Sequence, residues 1–342
     1  MNDCLSVRQD VSLLPYNTFG IDVKARRLAV LHTAGEGSGG SADGYAAAVE
    51  SLVASGLLDG KYLILGGGSN MVFTSDYDGT VVMMSPGTVR QTGADGDTVM
   101  VEADAGMKMD DVVAWTIEKG LYGLENLSAI PGTVGASVVQ NIGAYGAEAK
   151  DFVECVNVYD LRDKKFLSLS NADCQFGYRN SMFKQQSGRY LVLSVVYRLS
   201  PVFVPNLRYK ALEGLPNTSA AELREAIVNL RWSKLPRPEE NGSAGSFFKN
   251  PVVDDATYSR LIEQYPDMPV YPGNKLSAGW LIDRCGWKGR QMGRVGVWPR
   301  QALVLYNVGG CSGGEVRQLA DTIAADVNSR FGVHLECEAI FV

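Results

Sequence analysis

The feature that most restricts this chain is a run of three glycines coming directly off a predicted strand, Lys61-Tyr62-Leu63-Ile64-Leu65-Gly66-Gly67-Gly68-Ser69-Asn70. Glycine admits positive φ and lets backbone N–H groups converge on phosphate oxygens. The spacing is not that of a GxGxxG turn. Gly66 and Gly68 fit, but Met71 occupies the third glycine position, and 72–85 reads as turn and strand instead of a helix opening on the phosphate. A phosphate loop of non-Rossmann type and a plain tight turn both fit this segment taken alone.

A second glycine-rich stretch shifts the balance. Ile130-Pro131-Gly132-Thr133-Val134-Gly135-Ala136 leads into Gln140-Asn141-Ile142-Gly143-Ala144-Tyr145-Gly146. Two separated loops of small residues suit an extended dinucleotide, whose pyrophosphate needs contacts on more than one side.

Composition narrows the chemistry further. With 342 residues the chain exceeds one ordinary core, so two or three domains are expected. No long apolar run predicts a membrane span, and the first ten residues lack a signal-peptide pattern, so a cytoplasmic location is expected. Six scattered cysteines without a CxxC pair, and only two histidines, argue against a zinc site and against a Ser-His-Asp hydrolase. The net charge of −6 argues against general nucleic-acid binding. One basic stretch, Arg284, Lys288, Arg290, Arg294 and Arg300 with Trp287 and Trp298 interleaved, reads as a solvated face or as a ligand wall.

Along the chain, 36–44 reads as a flexible loop, followed by a helix from 45 to 55. Strands are predicted at 62–65, 80–84, 98–103, 154–159 and 190–199, with a helix over 109–119 stopped by Gly120. Prolines 201, 205 and 216 frame an irregular segment. Ser219-Ala220-Ala221-Glu222 is a capping box opening a helix with Leu223, Ala226, Ile227 and Leu230 at helical spacing. Helix 276–285, strand 302–306, helix 314–330 and a terminal strand over 335–342 complete an α+β pattern.

The order of Asn17-Thr18-Phe19-Gly20-Ile21, the glycine triplet with Ser69-Asn70, and the Pro131–Ala136 and Asn141–Gly146 segments resembles the UDP-N-acetylenolpyruvoylglucosamine reductase family. Three further motifs match it: Gly177-Tyr178-Arg179-Asn180-Ser181-Met182-Phe183-Lys184, Gly242-Ser243-Ala244-Gly245-Ser246-Phe247-Phe248-Lys249-Asn250-Pro251 and Leu335-Glu336-Cys337-Glu338. Together they span almost the whole chain. The resemblance implies a vanillyl-alcohol-oxidase-like (PCMH-type) FAD fold of two subdomains, 1–86 and 87–200. A tyrosine loop at 201–216, a C-terminal α+β substrate domain at 217–330 and a terminal strand at 331–342 would follow.

It also implies noncovalent FAD, NADPH as hydride donor, and UDP-N-acetylglucosamine enolpyruvate as substrate, in a monomer without nucleic acid or membrane insertion. Hydride on the vinyl carbon leaves carbanion character beside the carboxylate, which a protein acid must protonate. Ser246 matches the family's proton donor. Arg179 and Glu338 match the residues that polarise the carboxylate and stabilise the enolate. Cofactor contacts fall on Asn17, Thr18, Gly66, Gly67, Gly68, Ser69, Asn70, Pro131, Gly132, Gly135, Ala136, Asn141, Gly143 and Tyr145. Substrate contacts fall on Tyr178, Tyr209, Lys234, Asn250 and Gln301. Tyr209 marks the family's longer type with a tyrosine loop.

By residue chemistry alone Ser243 rivals Ser246, and strand periodicity puts Glu336 and Glu338 on one face. Cys337 stands where relatives commonly have proline and is expected to be buried and inert. Two other readings carry different chemistry: another flavin oxidase or dehydrogenase of the same fold, and an idle UDP-sugar-binding protein.

Overall fold

The computed structural model describes residues 4–33, 44–215 and 218–342. The predicted loop 36–44 lies almost wholly outside the described residues. The chain divides into two compact units: an N-terminal one of Met1–Val11, Ala25–Gly67 and Asp78–Arg231, and a C-terminal one of Ser12–Lys24, Gly68–Tyr77 and Trp232–Val342.

In the N-terminal unit a four-stranded sheet runs in the order Leu5–Ser12, Lys24–Leu31, Tyr77–Met84, Tyr62–Ile64. The last pair is parallel, with Tyr62 opposite Thr80. A five-stranded antiparallel sheet follows in the order Lys165–Ser170, Val153–Asp160, Tyr190–Leu199, Thr98–Asp104, Val89–Asp95. The predicted strands are therefore present, each within a few residues of its expected bounds.

The two expected subdomains share a core. Leu191 and Leu193 of the second sheet are buried with Ala29, Leu31 and Val82 of the first sheet and with Tyr45, Val49 and Leu52 at helix Ala46–Ala54. Strand Tyr190–Leu199 reads almost continuously apolar because it serves this core and also the one around Val101, Val156, Val195 and Tyr197.

The helix Ala220–Lys234 opens on the predicted capping box, with the Ser219 N–H donating to Glu222 Oε2 at 2.7 Å and the Glu222 N–H to Ser219 Oγ at 3.3 Å. Expected as the start of the substrate domain, it belongs to the N-terminal unit as far as Arg231. Its buried Leu223 and Ile227 join Leu212 and the half-buried Tyr145, Phe203 and Leu207, so its apolar stripe is covered there. Arg224 adds a bidentate pair to Asp110 (2.5 and 2.9 Å). Burial pushes the Asp110 carboxyl up, but the Arg224 contacts, the Ala129 N–H and Arg231 outweigh it and hold it below the usual range.

The C-terminal unit holds a four-stranded sheet in the order Ser243–Ser246, Val304–Asn307, Val295–Val297, Gln291–Met292, with helices Asp255–Gln264, Ala278–Arg284 and Gly313–Phe331. Two segments from early in the chain are built into it. Asn307 Nδ2 donates to the carbonyls of Phe19 (3.0 Å) and Gly20 (3.1 Å), and a β carbon on Gly242 would meet the Phe19 carbonyl at 2.2 Å. The predicted terminal strand is shorter than expected: only Ile340–Phe341 pairs, in parallel with Met71–Val72.

Candidate functional site

In the N-terminal unit the two glycine-rich loops lie against each other. A β carbon at Gly66 would stand 2.8 Å from both Thr133 Oγ1 and the Ala136 β carbon, and one at Gly67 would stand 2.9 Å from the Gly132 α carbon. Glycine is therefore required at 66 and 67, where the triplet packs directly on the second loop. Thr133 caps the short helix Val134–Val139 by accepting from the Ala136 N–H, and the Gly135 N–H donates to the Ala105 carbonyl at 2.9 Å. Gly66, Gly67, Gly132 and Ala136 thus lie in close contact where the two glycine-rich loops meet.

Asn141 organises the next part. Its Nδ2 donates to Glu148 Oε2 (2.9 Å) and the Gly177 carbonyl (3.0 Å), while Oδ1 accepts from the Lys150 N–H (3.0 Å). The side chain is committed to joining the loops, so its role is to bring Arg179 to the Asn141–Gly146 segment. Arg179 Nη2 donates to the Gly143 carbonyl at 2.9 Å, and its φ of 52° belongs to the tight Gly177–Asn180 turn. The guanidinium stands 5.5 Å from the centre of the exposed Tyr178 ring. Tyr145 meets Tyr209 edge to face at 5.1 Å. Gly143, Tyr145, Tyr178, Arg179 and Tyr209 are therefore brought into one neighbourhood.

In the C-terminal unit Ser246 ends strand Ser243–Ser246 and is exposed, whereas Ser243 is buried with its carbonyl accepting from Thr18 Oγ1 at 2.7 Å. Burial separates the two serines that residue chemistry left equivalent. The Glu338 N–H donates to the Phe247 carbonyl at 2.8 Å, and the Glu338 carbonyl accepts from Asn70 Nδ2 at 3.1 Å. Glu338 is held beside Ser246 on one side and the end of the glycine triplet on the other. Glu336 behaves differently: exposed, it pairs with Lys249 Nζ at 2.8 Å, which lowers its pKa.

The remaining expected residues are placed as follows. The buried Asn17 spends its amide on its own turn, donating to the Leu13 (2.8 Å) and Ile21 (2.9 Å) carbonyls and accepting from the Ile21 N–H (3.0 Å). A β carbon on Gly68 would meet the Tyr16 carbonyl at 2.1 Å, so Gly68 and Ser69 follow that turn closely. Asn250 Oδ1 accepts from the Ala278 N–H at 3.0 Å, and Gln301 Oε1 lies 3.2 Å from where a Gly279 β carbon would be. Both flank the start of helix Ala278–Arg284. Lys234 is half-buried at the end of helix Ala220–Lys234.

Cys337 is half-buried, not buried as expected, because 335–339 is irregular and makes only a single bridge to Phe248. Burial still raises its thiol pKa. Acids meet the basic stretch: Arg284 pairs with Asp267, Lys288 with the adjacent helix's Asp283 at 3.5 Å, and Arg294 with Glu315 at 2.9 Å. Arg290 and Arg300 lie on the rings of Trp287 (4.5 Å) and Trp298 (5.3 Å).

Two residues near Arg179 escaped the sequence reading. Arg231 is packed in, with burial lowering its pKa against the charges of Tyr145 and Asp110, and it hydrogen-bonds the Tyr145 hydroxyl. Its helical register with Leu223 and Ile227 was a usable signal, since it puts a cation on the apolar stripe. Asn126, buried in the turn Glu125–Leu127, carried none.

Comparison with known proteins agrees with this layout. The family profile described as UDP-N-acetylenolpyruvoylglucosamine reductase, C-terminal domain, matches residues 237–342, and the FAD binding domain profile matches 45–170. Proteins named UDP-N-acetylenolpyruvoylglucosamine reductase from Azoarcus sp. (strain BH72) and Pseudomonas aeruginosa are each 44% identical, covering 99% and 98% of this chain and 98% of each relative. The one from Neisseria gonorrhoeae is 45% identical over 97% of this chain and 96% of its own length. A crystal structure titled UDP-N-acetylenolpyruvylglucosamine reductase from Thermus caldophilus shares the fold, with a TM-score of 0.67 at 24% identity, covering 98% of this chain and 99% of that one. Among the described residues no helix is long and apolar enough to cross a membrane.

Proposed function

The chain belongs to the UDP-N-acetylenolpyruvoylglucosamine reductase family, and from that premise we propose that it reduces UDP-N-acetylglucosamine enolpyruvate to UDP-N-acetylmuramate for peptidoglycan synthesis. Family membership displaces the rival readings of a different flavin oxidase or an idle sugar-nucleotide binder.

FAD, when bound, would supply the hydride chemistry that links NADPH to the enolpyruvyl double bond. The chain's own residues do the rest. Gly66, Gly67, Pro131, Gly132, Gly135 and Ala136 hold the cofactor through backbone, with Gly68, Ser69, Asn70, Asn17, Thr18, Asn141, Gly143 and Tyr145 shaping its surroundings. Arg179 orients the substrate carboxylate and balances the charge that grows there, its planar fork suiting two oxygens. Ser246 gives its hydroxyl proton to the carbon beside that carboxylate. Glu338, held through its backbone, stabilises the same developing negative charge as a protonated carboxyl that donates a hydrogen bond to it. Tyr178, Tyr209, Lys234, Asn250 and Gln301 bind the UDP-sugar. One cleft serving two bulky anionic partners in turn implies ping-pong kinetics. The enzyme acts as a cytoplasmic monomer.

The observation that carries this reading is the backbone bond from Glu338 to Phe247, which brings a glutamate to the residue after an exposed serine. Stopped-flow reoxidation of the NADPH-reduced enzyme by the enolpyruvyl substrate tests it. Rapid reoxidation with formation of the muramate product is expected. A colourless protein, or a reduced enzyme indifferent to the substrate, would end the proposal.

A further inference from the structure

We infer that Asn126 is a positioning residue that locks the Tyr209 segment to the loop supporting Arg179, an inference that rests on the roles proposed above for Tyr209 and Arg179. The Asn126 side chain is buried, and its one amide nitrogen donates both hydrogens to carbonyls of different segments: Tyr145 at 2.7 Å and Asn206 at 2.9 Å. Tyr145 lies in the segment on which Arg179 leans through the Gly143 carbonyl, 2.9 Å away. Asn206 lies three residues before Tyr209 in a stretch with no regular structure until the turn Lys210–Leu212.

Such an irregular stretch holds its shape only through anchors, since nothing internal offsets its conformational entropy. Two further anchors join the same two segments: Asn206 Nδ2 donates to the Gly146 carbonyl at 3.1 Å, and Tyr209 packs on Tyr145, while Phe203 and Leu207 pack toward Leu223 and Ile227. The amide at 126 is buried, and its two N–H groups diverge at the fixed angle of a planar NH2, so each carbonyl sets the other's position. With substrate bound at Tyr209, the same side chain therefore holds the 143–146 carbonyls where Arg179 needs them. Substrate binding and carboxylate orientation become one event.

Asn126→Asp is the sharp probe, since it keeps the shape and removes both donors. Limited trypsin digestion of the FAD-loaded protein reads the segment directly, because Arg208 and Lys210 are exposed within it. Cleavage after these two residues should accelerate by about tenfold or more relative to cleavage elsewhere in the chain. Reoxidation by the enolpyruvyl substrate should slow more than reduction by NADPH. Asn126→Leu, close in size and likewise without donors but uncharged, should accelerate the same two cuts to a similar extent, and it carries the test if the Asn126→Asp variant does not fold. Unchanged cleavage at 208 and 210, or an acceleration spread evenly over the chain, would overturn the inference. If the cuts accelerate but the enolpyruvyl compound is not turned over by wild type, the coupling stands and the functional reading fails.

Discussion

The Glu338 N–H donates to the Phe247 carbonyl at 2.8 Å, so the backbone of Glu338 is fixed against the residue that follows Ser246. Neighbouring Lys249 bonds the Glu336 carbonyl at 2.9 Å, so this irregular stretch is tied down on both sides of Cys337. The glutamate that strand periodicity could not distinguish from Glu338 is drawn instead to the surface by Lys249.

That arrangement predicts opposite outcomes for the two acids. Glu338→Gln should slow reoxidation of the reduced enzyme by roughly a hundredfold, the scale of losing one charge-stabilising group. Glu336→Gln should stay within about twofold, because an exposed ion pair contributes little. Single-turnover kinetics on both variants decides; equal losses would place the function in the segment and not in Glu338.

Ser246→Ala should retain flavin and its reduction by NADPH while reoxidation falls by about a hundredfold or more, as expected for a lost general acid. Solvent deuterium should appear at the carbon beside the carboxylate in the wild-type product. Ser243→Ala, at the buried serine, should cost folding stability and leave the rate of proton delivery alone.

Gly66→Ala puts a methyl 2.8 Å from Thr133 Oγ1 and Ala136. Overpacking of this kind between two loops should weaken FAD retention by about tenfold, visible as a lower ratio of flavin absorbance to protein. Far-UV circular dichroism should be unchanged.

Arg189 holds Asp160 in the N-terminal unit, donating from Nε at 3.1 Å and Nη2 at 2.7 Å. Those bonds bring the Asp160 pKa down to about 2. A carboxyl whose pKa is depressed on folding stabilises the fold fully above its unfolded value of about 4 and loses that contribution as pH falls through the folded value. Asp160→Asn should therefore lower the urea midpoint at pH 7, and its deficit against wild type should shrink as the pH drops from 4 towards 2. A constant deficit across that window would mean shape, not charge, carries the contribution.

Cys337 is half-buried with its thiol pKa raised by burial. Alkylation near neutral pH should be slower than for a free thiol and should speed up as pH rises and the thiolate forms. Fast modification at neutral pH, read by mass spectrometry, would contradict this environment.

Much of this protein was legible in one dimension because its information is local or ordered. Strand Tyr190–Leu199, the capping box at Ser219 and the helix stop at Gly120 depend on neighbours a few residues away. The sequence of motifs from Asn17 to Glu338 named the family because their order along the chain survives without knowing where each segment lies. What the sequence left open required contacts between distant segments. That Ser243 is buried, its carbonyl accepting from Thr18, while Ser246 is exposed, and that Glu336 pairs with Lys249, are facts of this kind. Helix Ala220–Lys234 joined the N-terminal unit because apolar partners awaited its buried face there. Asn126 gave no sign in sequence, because a side-chain amide acquires meaning only when folding presents two carbonyls to its two hydrogens.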